Sequence, residues 1–159
     1  MEFVRGLYNL QRDRRGCVAT IGNFDGVHRG HQAVLTQVRE QAGRMQLPAA
    51  LITFEPLPRE FFIPHEAPPR LTRLREKLIA LRRYGIGRVV CLRFDRHLAG
   101  LAPDVFIREI LVDGMGVKYL VVGDDFRFGE HRAGTFATLQ EAGARYGFEV
   151  ASMHTYRIG

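Results

Sequence analysis

The chain predicts a doubly wound α/β domain: a mostly parallel, five-stranded sheet with helices on both faces. Three observations lead there. A length of 159 residues with 46% hydrophobic and 10% aromatic composition suits one domain with an ample core. Short apolar runs rich in β-formers alternate with stretches of helical periodicity, which is the pattern of repeated βαβ units with right-handed crossovers. Three of the strand ends carry unusual clusters, Gly22 to His31, "TFEPLPREFF" and "GDDFRFG". In open α/β sheets ligands bind beyond the carboxyl ends of the strands, so these ends are expected to line one crevice.

Taken in order, "CVATI" is the first strand, with β-formers at Val18, Thr20 and Ile21. Leu35, Val38, Ala42 and Met45 follow at helical spacing, and "AALITF" completes a βαβ unit. The proline-rich piece "EPLPREFFIPHEAPPR" can hold no long regular element. Leu71, Leu74, Leu78 and Leu81 mark a second amphipathic helix, stopped by Gly85 and followed by the strand "RVVCLRF". In "APDVFIREILVDGM" a proline stands at the first helical position, and Phe106, Ile107, Ile110 and Leu111 form the apolar face. This helix leads through Gly116 into the strand "KYLVVG". The last helix is "TFATLQEAGARYG" and the last strand "FEVASM". There is no internal repeat, low-complexity segment or linker.

A formal net charge of +6 suggests an anionic partner. The basic residues are spread, however, and the groups at 12–15 and at Arg82 and Arg83 have no interleaved aromatics for base stacking. They read as solvated faces, and the charge alone is equally compatible with small phosphorylated ligands and nucleic acid. Cys17 and Cys91 lie inside strand-like apolar runs, which suits reduced, buried thiols. No apolar stretch reaches the length of a membrane span, and "MEFVRGLYNL" lacks the pattern of a signal peptide, so a cytoplasmic protein is expected.

The chemistry concentrates in "TIGNFDGVHRGH", residues 20–31, at a strand-to-helix junction. A helix start presents unpaired N–H groups and the positive end of the helix dipole, which together form an anion site. Gly22 and Gly26 allow a sharp turn and close approach to a ligand, and Gly30 leaves room for a phosphate chain. His28 and His31, three apart, share a helical face. Two imidazoles there can donate hydrogen bonds to phosphoryl oxygens as a pyrophosphate departs, so the arrangement suits phosphoryl or nucleotidyl transfer. No "GxxxxGK" follows any strand, and "GNFDG" lacks the three-glycine dinucleotide fingerprint. A His-x-x-His pair with Asp25 could ligate zinc, but neither cysteine nor a third histidine is near, and no protein-held metal is expected. His65, His97, His131 and His154 are scattered and are assigned surface or core roles.

The string "GNFDGVHRGH" resembles the GxFDGxHxGH signature of the HxGH nucleotidyltransferases. Together with "TFEPLPREFF" and "GDDFRFGEHRAG", in this order and spacing, it resembles the FMN adenylyltransferase (FAD synthetase) module of bacterial bifunctional riboflavin kinase/FAD synthetases over essentially the whole chain. The resemblance implies a Rossmann-like nucleotidyltransferase fold and adenylylation of FMN: the FMN phosphate attacks the α-phosphorus of ATP, giving FAD and pyrophosphate, with Mg²⁺ bridging phosphates. It implies that Gly22, Phe24 and Asp25 shape the ATP site with Asn23 within contact range, and that His28 and His31 stabilise the phosphate charge. Phe62, Phe106 and Phe128 would contact the flavin ring, with Asp125 oriented toward it; the bland alternative for each phenylalanine is core packing, and for Asp125 a loop cap. Leu57 stands where the family more often has a polar residue, and Thr135 where an acidic one is common. An ISSTxxR stretch is expected near Val150 and is not found, and the riboflavin kinase module does not follow. The chain is therefore expected to be an N-terminal fragment or a domain cut short, with low activity alone. The competing readings are an HxGH transferase with another acceptor and a flavin- or nucleotide-binding fragment without turnover.

Overall fold

In a computed structural model the described residues are 1–7, 16–24, 29–56, 58–65, 74–123 and 126–153, with Arg29, Gly30 and Arg59 described by their backbone alone. The strands are β1 (Glu2–Arg5), β2 (Cys17–Ile21), β3 (Ala49–Glu55), β4 (Arg88–Arg93), β5 (Val117–Gly123) and β6 (Glu149–Met153). The helices are α1 (Arg29–Met45), α2 (Pro58–Phe62), α3 (Leu74–Arg83), α4 (Arg96–Ala99), α5 (Pro103–Phe106) and α6 (Phe136–Tyr146). Beyond Phe106, the chain continues from Ile107 to Gly114 in π-helical geometry, with Ile107, Ile110 and Leu111 buried.

The strands form one sheet in the order β1-β4-β3-β2-β5-β6, and every pairing between them is parallel. The expected five strands become six. The addition, β1, is four residues long with a single buried side chain, Val4, too short to carry a readable pattern. It is held as an edge by its register with β4, from Glu2↔Arg88 to Arg5↔Cys91, and by a 2.8 Å ion pair between Glu2 and Arg88.

Alternate strand residues point to opposite faces. On one face Val18, Leu51, Val89 and Val121 pack with Leu35, Val38 and Ala42 of α1 and Leu81 of α3. On the other, Ala19, Ile52, Val90 and Leu120 pack with Phe106, Ile110 and Leu111 and with Leu139 of α6. Burial decides the helices more than propensity does. Gly43 inside α1 has no neighbour within contact of a would-be Cβ and costs about 1 kcal/mol relative to alanine. Full burial of Leu35 and Val38 contributes about 1.5–3 kcal/mol each and outweighs it.

Local signals close most helices where the sequence places them. Pro103 opens α5, and Thr135 caps α6 in a reciprocal box with Thr138. The expected second helix starts at Leu74, and Leu71 lies outside the described residues. The proline-rich piece holds one short helix, α2. An additional short helix, α4, is capped by Asp95, whose Oδ1 accepts from the Leu98 N–H at 2.9 Å.

From β2 the chain crosses through α1 to β3 on one side, while β5 lies on the other. The strand order therefore reverses between β2 and β5, and in open α/β sheets such a switch point, here at the carboxyl ends Ile21 and Gly123, is where ligands bind.

Candidate functional site

Beyond Ile21 the β2–β3 ladder runs one residue further, with the Gly22 N–H donating to Ile52 O at 3.0 Å. Asn23 is exposed, and Phe24 then turns the chain with φ +49, a left-handed conformation costly for a bulky residue. Its ring is buried and folds back over Gly22, where a Cβ would sit 2.8 Å from a ring carbon. Gly22 is thus needed for close approach of a ring, and among the described residues of this segment the positive φ belongs to Phe24, while Gly26 lies outside them. The other flank of the Phe24 ring meets His31, with centroids 4.6 Å apart at 38°.

His31 is the third residue of α1 and so lies in its first turn. Gly30 lies in the same first turn. The expected partners Asp25 and His28 lie outside the described residues, as does Asp125 beyond β5. Phe24 and His31 are thus brought together at the mouth of the switch point, with Gly22 beneath.

A residue that the sequence reading missed supports this loop from below. Lys77 of α3 is 1% exposed, and its Nζ donates to the Asn23 carbonyl oxygen at 2.6 Å and to Thr53 Oγ1 at 3.4 Å. Thr53, fully buried near the end of β3, approaches the same carbonyl at 3.5 Å. The short first bond is charge-assisted, and the two others are long and weak. A signal existed in the sequence: Lys77 stands three residues after Leu74 and four before Leu81, a cation inside the apolar stripe of its own helix.

The aromatic candidates divide into two groups. Phe106 and Phe128 are buried and adjacent, with centroids 5.2 Å apart, and Phe126 stacks on Phe128 at 5.7 Å and 16°. Phe128 is set by an antiparallel bridge to Gly134, in which the Gly134 N–H donates to Phe128 O at 2.8 Å. The ring lies so close that a Cβ on Gly134 would be 2.5 Å from it. Phe62 is instead 62% exposed and joins Phe61 and Phe94 through edge-on contacts of 5.2 and 5.7 Å, with Phe54 behind Phe94 at 5.6 Å. Phe61 and Phe94 are not distinguished by the sequence, because nothing in their local pattern separates them from ordinary core phenylalanines.

Among the described residues no three His, Cys, Asp or Glu side chains converge as a metal-holding set. Cys17 and Cys91 are buried and not in disulfides, as expected. Desolvation pushes the Cys17 thiol up to about 12, with nearby Arg88 pulling the other way. Among the described residues no helix is long and apolar enough to cross a membrane.

Residues 10–159 match the FAD synthetase family. The bifunctional riboflavin kinase/FMN adenylyltransferase of Pseudomonas fluorescens is 51% identical over 99% of this chain and 50% of its own length. The protein of the same name from Escherichia coli K12 is 51% identical over 100% of this chain and 51% of its own, and that of Haemophilus influenzae 47% over 98% and 51%. The chain spans about half the length of these curated relatives. A solved structure described as a macrolide-efflux protein from Streptococcus pneumoniae superposes with a TM-score of 0.79 at 23% identity, over 96% of this chain and 50% of its own. At that identity the likeness speaks for the fold.

Proposed function

The chain belongs to the FAD synthetase family, and from that premise we propose that it transfers the adenylyl group of ATP to FMN, forming FAD and pyrophosphate. The observation that carries the reading is the loop at the switch point, where the Phe24 ring holds His31 in the first turn of α1. A triphosphate laid across this turn would meet backbone N–H groups, the helix dipole and an oriented imidazole. An FMN phosphate oxygen attacks the α-phosphorus, the bond from that phosphorus to the bridging oxygen breaks, and the electron pair leaves with pyrophosphate. His31, together with His28, donates hydrogen bonds to the phosphoryl oxygens as their charge grows. Gly22, Asn23, Asp25 and Gly30 shape the nucleotide side. Mg²⁺ would arrive on the ATP phosphates as part of the substrate, and no step here runs through it.

On the flavin side, exposed Phe62 would offer a ring face to a planar ligand, with Phe106, Phe128 and Asp125 proposed as further flavin-side residues. Because the relatives carry a riboflavin kinase in name, the natural protein is proposed to hold that module beside this one, its product FMN being the substrate here. A cytoplasmic location is proposed together with this activity.

The test is incubation of the natural full-length protein with FMN and MgATP, following FAD by chromatography and pyrophosphate by a coupled assay. Stoichiometric FAD and pyrophosphate are expected. Binding of both ligands without pyrophosphate release would make it a binding module, and turnover with phosphopantetheine or nicotinate mononucleotide instead of FMN would reassign the acceptor.

A further inference from the structure

Lys77 is buried, charged and directed at a backbone carbonyl of the nucleotide loop. A buried ammonium is costly unless it makes good hydrogen bonds, so the partners it is given have structural consequence. The carbonyl of Asn23 belongs to the planar peptide unit that joins Asn23 to Phe24. Anchoring its oxygen therefore fixes the plane from which φ of Phe24 is measured, and that φ, at +49, turns the ring onto Gly22 and His31. At 2.6 Å from a side chain only 1% exposed, the bond faces little competition from water. Thr53 Oγ1, 3.4 Å from Nζ and 3.5 Å from the same oxygen, joins them, so that this contact links the turn after β2, the end of β3 and the body of α3.

We propose that Lys77 is a positioning residue for nucleotide binding: through the Asn23 carbonyl it holds the left-handed turn at Phe24 and thereby the place of His31. The consequence for turnover rests on the adenylyltransferase reading, whereas the positioning of the loop does not.

The experiment compares Lys77→Met, which keeps the aliphatic stem and removes the donor, with the wild-type full-length protein. By hydrogen exchange the peptide covering Thr20–Phe24 should exchange at least tenfold faster in the variant, while the peptide covering Glu149–Met153 is unchanged. In steady-state kinetics the KM for ATP should rise at least tenfold and the KM for FMN stay within threefold. Uniformly faster exchange, equal changes in both KM values, or a folded variant with wild-type exchange at the loop would each overturn the proposal, since a merely structural lysine gives those results. Faster loop exchange with an unchanged ATP KM in an active enzyme would overturn it too. Wild-type protein that forms no FAD would refute the adenylyltransferase reading, while the exchange data still judge Lys77. Should Lys77→Met not fold, Thr53→Val carries the same readout, with loop-specific exchange about threefold faster expected and no change overturning it.

Discussion

At the end of β2, the turn leading to His31 is shaped by the left-handed residue Phe24 and held by a 2.6 Å bond from a buried cation. Beyond β5 and β3, the phenylalanines are held by ring contacts of 5.2–5.7 Å and one backbone bridge. Hydrogen bonds weaken steeply with distance and angle, whereas apolar contact is non-directional and scales with area. The first wall should therefore fail sharply and selectively when a single group is lost. The second should degrade gradually, except where a backbone approach leaves no room.

The largest expected effect is His31→Ala. Removing one donor from a developing oxyanion typically costs about 10²–10³ in rate, and we expect kcat/KM for FAD formation to fall at least a hundredfold, with far-ultraviolet circular dichroism unchanged. A loss below tenfold would break the comparison, because the loop would then not be the catalytic wall. Gly134→Ala comes next. Its methyl group would lie 2.5 Å from the Phe128 ring, and overpacking of this kind costs about 1–3 kcal/mol, to be read by urea denaturation. Since this damage lies on the aromatic side, the ATP affinity of the folded fraction should stay at its wild-type value.

Phe62→Ala sharpens the contrast within the aromatic side. The ring is 62% exposed, so stability should change by no more than about 0.5 kcal/mol. FMN affinity, measured by fluorescence quenching, should weaken about fivefold, on the order of 1 kcal/mol for a stacked ring. Equal weakening of ATP binding would show that the two walls are not separate.

The smallest effect at neutral pH lies at the opposite end of β2. Cys17 has its pKa raised from 9.0 to about 12 by burial, so its native state keeps a proton that the unfolded chain releases above pH 9. The unfolded state then binds fewer protons, and stability falls as pH rises. Cys17→Ala should match the pH dependence of the wild type below about pH 8. Between about pH 9 and 12 the wild type should lose stability relative to it, by at most about 1.4 kcal/mol per pH unit. Parallel curves through pH 11 would contradict the burial account.

Much of the fold was legible because its signals are local. "CVATI", "AALITF", "RVVCLRF", "KYLVVG" and "FEVASM" all became strands, and the Leu35–Val38–Ala42 spacing and the Pro103 and Thr135 starts all became helices. The strand β1 was not, because four residues on an edge owe their place to β4 rather than to any pattern of their own. In the site, the passage from strand to helix in the Gly22–His31 segment was legible. The division of labour among its described residues was not: there the positive φ fell on Phe24, and Gly22 proved to be where a ring packs.

What the sequence by itself determined is the alternation of strands and helices and the loop in which His31 opens α1, since periodicity, caps and glycines act over a few neighbouring residues. What only the tertiary structure decided is which distant group supports that loop. Lys77 meets Asn23 across 54 positions of chain, and a buried cation takes whatever acceptor the packing of α3 against β2 and β3 brings within reach. Nothing in the local pattern around either residue encodes that distance, because it is set by the crossover that folds α3 back over the sheet.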